Sequence, residues 1–126
     1  MKAGSMSLAA EKRRAPRMPV DWEIHARVLG EVDMVGDVRV TNVSKSGLAV
    51  KMARSVERDA VLKVSFAPSD GGSEVQAYAT VAWCLGPDDP QVGLRFIGIG
   101  EEDQERIAGL VERWLTAGGR PGGSRH

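Results

Sequence analysis

A single cysteine, Cys84, among 126 residues excludes an internal disulfide, and two histidines with no Cys/His cluster leave no recognisable zinc site. Aromatic residues make up only 5% of the chain. That is too few to interleave with basic residues along a groove for single-stranded nucleic acid. Long apolar runs are missing as well: the N-terminal MKAGSMSLAAEKRR holds only a short, weakly apolar stretch, inadequate for a signal-peptide core or a membrane span. A reduced, cytoplasmic protein without membrane contact is expected. Nor is there any net charge, since 17 basic residues face 17 acidic ones. The distribution is uneven, however. The first twenty residues carry five basic residues against one acidic, while residues 21–117 carry ten against sixteen. An acidic body with a basic N-terminal arm argues against general nucleic-acid binding, which spreads Lys and Arg over a folded face. A small anion held by the arm fits better.

What is present is a two-residue period. Length and a 42% apolar content suit one domain with a modest core. From Val20 to Val28 apolar and polar residues alternate strictly, and the pattern returns at Val38–Val40, Leu48–Met52, Leu62–Phe66, Val75–Trp83 and Val92–Phe96. Turn chemistry separates these runs: Ser-Lys-Ser-Gly at 44–47, Pro-Ser-Asp-Gly-Gly at 68–72 and Gly-Pro-Asp-Asp-Pro at 86–90. Six short strands without intervening helices predict a mainly β protein, a small six-stranded antiparallel barrel. After Glu101 the period lengthens. Ile107, Leu110, Val111, Trp114 and Leu115 share one face of a C-terminal helix, with Glu101, Glu102 and Asp103 at its positive end and Gly118-Gly119 as its stop. Residues 1–10 and 118–126 have the composition of disordered ends, leaving a domain over 11–117 with a basic arm at 11–19.

Two stretches are not accounted for by strands and turns. Arg13-Arg14-Ala15-Pro16-Arg17 makes a poor core, helix or strand. Asn42-Val43-Ser44-Lys45-Ser46-Gly47 reads by itself as a hairpin turn, with Gly47 free to take a positive φ at the return, although Asn and Ser can also offer an edge to a ligand. Asn42-Val43-Ser44 is also a glycosylation sequon, which has little weight without a secretion signal.

Together these stretches resemble the paired signature of PilZ domains, bacterial receptors for cyclic di-GMP: RxxxR over 13–17 and [D/N]xSxxG over 42–47. Val81-Ala82-Trp83, then Val92-Gly93-Leu94-Arg95-Phe96 ahead of the terminal helix, look like the end of such a domain, so the resemblance spans roughly 11–116. It implies that Arg13 and Arg17 are the main contacts of the nucleotide and that Arg14 supplies a further one. Asn42 and Ser44 would hydrogen-bond a guanine edge or a phosphate, and Gly47 would shape the turn. An arginine fork suits this ligand because it meets a phosphate or the O6/N7 edge of guanine with two parallel hydrogen bonds, and its plane stacks on a purine. Asn in place of Asp puts an amide where a carboxylate would pair more strongly with guanine N–H groups. The implied function is a receptor whose arginine arm orders on binding and relays the signal to a partner protein, in motility or biofilm regulation, as a monomer or a homodimer. It implies no enzyme activity, no cofactor and no metal. The alternatives are a PilZ-fold adaptor with little nucleotide affinity and, less supported, a barrel for single-stranded nucleic acid.

The other chemistry-bearing residues have plainer readings. Trp83 shares the alternation of Val75, Ala77, Ala79 and Val81, which assigns it to the core. At the barrel rim it would instead stack on guanine. His25 falls on a solvated face, Asp88-Asp89 belongs to a turn, and Ser44 and Ser46 lack the surroundings of a nucleophile.

Overall fold

The computed structural model describes residues 16–86 and 88–119. Six strands and one helix follow in chain order: β1 (Met18–Val28), β2 (Arg39–Ser44), β3 (Gly47–Lys51), β4 (Val61–Phe66), β5 (Val75–Leu85), β6 (Gln91–Ile99) and α1 (Glu101–Thr116). Every strand pair is antiparallel, and the order β1-β2-β3-β6-β5-β4 closes on itself through the β1–β4 ladder. This is the six-stranded barrel with a C-terminal helix that the alternation predicts.

Alternation fills the barrel. In β1, Trp22, Ile24 and Ala26 point inward while Asp21, Glu23 and His25 face solvent. In β4 and β5, Leu62, Val64, Phe66, Val75, Ala77, Ala79 and Val81 do the same. Phe66 sits between Trp22 and Phe96, with ring centroids 6.0 and 6.5 Å away and nearly parallel planes. So small a barrel closes only by bending its strands, and its ladders are interrupted between Pro19 and Trp22, Val40 and Asn42, Tyr78 and Ala79, and Val81 and Trp83.

Helix α1 is pinned to the barrel by Ile107 and Val111, both buried, with Leu110, Trp114 and Leu115 half-buried beside them. Polar ties fix both neighbouring loops. Arg106 forks onto Asp70 through Nε (3.1 Å) and Nη2 (2.9 Å) and reaches Asp103 through Nη1 (3.1 Å). Gln104 donates from Nε2 to the Lys45 carbonyl at 2.9 Å, joining the helix to the β2–β3 hairpin. The helix ends as Gly118-Gly119 predicts: Gly118, at φ 100°, donates to Leu115 O and Gly119 donates to Trp114 O.

One boundary differs from the sequence reading. Asn42 and Ser44 belong to β2 rather than to a connecting turn, because the ladder to β3 runs on to the Ser44–Gly47 pair. The hairpin loop is only Lys45-Ser46. Cross-strand pairing overrides the turn preference that Asn and Ser have in isolation.

Candidate functional site

Of the residues singled out by the sequence, Arg17, Asn42, Gly47 and Trp83 meet on one outer patch of the barrel. Arg17 directly precedes β1, and Asn42 on β2 pairs with Pro19, so Asn42 lies diagonally across the ladder from Arg17, within reach of its long side chain. Its Nη1 donates to Asn42 Oδ1 at 2.5 Å. Arg17 is half-buried, and loss of solvent lowers its pKa below the usual guanidinium value. The group stays protonated, and among the described residues it has no carboxylate partner. Asparagine at position 42 therefore orients Arg17 without neutralising it. An aspartate there would do both. A partly desolvated, uncompensated guanidinium attracts an anion.

Ser44 and Gly47 build the corner. Ser44 has no exposed surface. Its Oγ accepts from the Ser46 backbone N–H at 3.2 Å and lies 3.0 Å from Ser46 Oγ, so it folds the two-residue loop, and the hydroxyl left facing outward is that of Ser46. The resemblance implies a ligand contact for Ser44, whose hydroxyl is here enclosed and bonded within the hairpin. Gly47 has a different role from the expected positive φ, which it does not adopt. It pairs with Arg95 on β6, and a Cβ at Gly47 would overlap the Leu94 carbonyl oxygen. Close strand approach requires glycine there.

Trp83 corrects the core reading. The ladder to β6 pairs Val81 with Leu94 and Trp83 with Gly93, which leaves Ala82 as an extra residue. That bulge reverses the side-chain phase, so Trp83 stands on the outer face, 38% exposed. The indole lies against Gly93, where any Cβ would overlap the ring. Arg17, Ser46, Gly47, Trp83, Gly93 and Arg95 line a shallow depression of about 150 Å³. It has a flat aromatic wall, an outward hydroxyl and two guanidinium-bearing positions. Those are the parts needed to stack a purine and hold a phosphate. Arg13 and Arg14 lie outside the described residues.

The chain matches the PilZ domain family over residues 11–113. It is a PilZ domain. The family is one of cyclic di-GMP receptors, binding and adaptor domains without enzymatic chemistry. Among solved structures the chain is similar to the Bacillus subtilis inhibitor of motility (MotI/DgrA), with a TM-score of 0.69 and 17% sequence identity over 83% of this chain. That match covers 52% of the neighbour, so this PilZ domain spans about half its length, and at this identity the likeness is one of fold. No curated protein matches the chain in sequence.

Sequence reasoning gave Ser46, Gly93 and Arg95 no part in the site. A signal for Gly93 was present: between inward Val92 and Leu94 it falls on an outward position, where a strand glycine marks close approach of another group. A larger cleft, about 650 Å³, lies toward the other end of β2. Asp21, Glu23, Asp37 and Asp89 outnumber Arg39 and Lys51 around it, which disfavours a phosphate ligand. His25 lines that cleft and is exposed, as expected. No helix among the described residues is long and apolar enough to cross a membrane.

Proposed function

We propose that this PilZ domain is a cyclic di-GMP receptor, whose arginine arm orders over the barrel when the nucleotide binds and presents a new surface to a partner protein. The observation that carries the reading is the Arg17–Asn42 bond, which couples the last arginine of RxxxR to the first residue of [D/N]xSxxG while leaving its charge free. Trp83 on Gly93 supplies a platform for one guanine, and Ser46 and Arg95 border it. At about 150 Å³ the depression is smaller than the roughly 300 Å³ at which enclosing small-molecule sites begin, so it acts as a floor and requires a cover. Arg13 and Arg14, a few residues before Arg17, are placed in sequence to provide one. Ordering a segment costs on the order of 1 kcal/mol or more per residue, which several charge-assisted hydrogen bonds offset. The two-state element is then the arm, and the output is whatever recognises its ordered form. The adaptor alternative makes no use of a free arginine beside an aromatic platform.

Titration calorimetry with cyclic di-GMP tests this directly. Binding is expected in the parent, with about 1.5–3 kcal/mol lost on Arg13→Ala and on Arg17→Ala. No heat with the parent would refute the receptor. Equal affinity in parent and variants would refute the arm.

A further inference from the structure

A second concavity lies between the β2–β3 hairpin and helix α1. Pro16, Lys45, Ala108, Val111, Glu112 and Leu115 enclose about 290 Å³ there. Its floor is apolar, and its two charges, Lys45 and Glu112, are of opposite sign. Ala108 and Leu115 remain half-buried, so among the described residues this flank of the helix lacks a partner. The helix is held from its inner side by Ile107 and Val111 and does not need this flank to dock.

We propose that the groove is the seat of the chain's own segment Met6–Ala10. Three observations select this occupant. Pro16 forms part of the groove wall, so the chain enters the described structure at the groove's mouth. Residues 11–15 can span at most about 20 Å, enough to return Met6–Ala10 to a groove that begins at Pro16 and too little to take them to the far end of the barrel. Met6, Leu8, Ala9 and Ala10 are the most apolar run ahead of Pro16, and the adjoining Glu11 and Lys12 can face Lys45 and Glu112 with opposite charge. A composition that gives Met6–Ala10 no core of its own becomes useful once an apolar groove is within reach. The inference is independent of the nucleotide reading. It gives the chain ahead of Pro16 an anchor on helix α1.

Proximity can be measured in the full chain with Cys84→Ser as background. Leu8→Cys combined with Ala108→Cys should be joined by a short bismaleimide at a rate independent of protein concentration. Adding Met6→Asp and Ala10→Asp should slow that reaction at least about tenfold, the scale of losing one buried apolar side chain. A rate unchanged by the two aspartates would mean tethered proximity without a seat and would overturn the proposal. A rate that rises with concentration would hand the groove to a second copy and overturn it equally. Circular dichroism melts of each variant establish that the barrel is intact.

Discussion

Trp22 and Trp83 enter the sequence in the same way, each within an alternating run that assigns it to the inward face, yet the barrel uses them oppositely. Trp22 is 9% exposed and stacks on Phe66, inside. Trp83 is 38% exposed and lies on the outer face against Gly93. One extra residue, Ala82, separates the two fates. A period of two carries a side chain to the core only while the register is unbroken, and a bulge late in a strand moves everything after it to the other face. An aromatic that would have been buried is thereby turned to the surface.

The comparison yields a graded set of expectations. Trp22→Ala should cost about 3–5 kcal/mol of stability in urea unfolding, whereas Trp83→Ala should cost under about 0.5 kcal/mol. Comparable losses would erase the distinction between the two tryptophans. Gly47→Ala tests the corner: the new methyl meets backbone on β6, which cannot swing away as a side chain would, and about 1–3 kcal/mol should be lost. Gly93→Ala sharpens the contrast from the other direction. It should lift the indole and weaken cyclic di-GMP within the about 1–3 kcal/mol of a base–aromatic stack, while unfolding changes little. Affinity unaffected by Gly93→Ala would remove Trp83 from the site.

The smallest expected effect concerns pH and lies away from the site. The hydrogen-bonded fork from Arg106 holds the Asp70 carboxyl below its ordinary pKa. A depressed folded-state pKa means that the pair's contribution is present above the unfolded value of about 3.9 and fades as pH falls through the folded value. Thermal melts should therefore show the parent losing its advantage over Asp70→Asn below about pH 4. A constant difference down to pH 2 would show that the pair does not titrate as described.

Much of this was legible in the chain. The β1, β3, β4 and β6 runs, the helix and its Gly118-Gly119 stop follow from periodicity and local chemistry, which act over a few residues. The two motifs pointed to residues that the fold brings together, since Arg17, Asn42 and Gly47 do meet on one patch. What Ser44 and Gly47 do within the hairpin was not legible: Ser44 folds the loop from inside, and Gly47 permits close strand approach without adopting a positive φ. Neither enclosure of a hydroxyl nor the approach of Leu94 O is written within the motif.

The sequence by itself determined a small antiparallel barrel, because alternating apolar residues with short turns have few other ways to bury one face. Only the tertiary structure decided which outward groups share a patch. Bulges reset the phase of a strand, and strands far apart in the chain become neighbours at closure, so that Trp83 finds Gly93 and Arg17 finds Asn42 through ladders that no local pattern encodes.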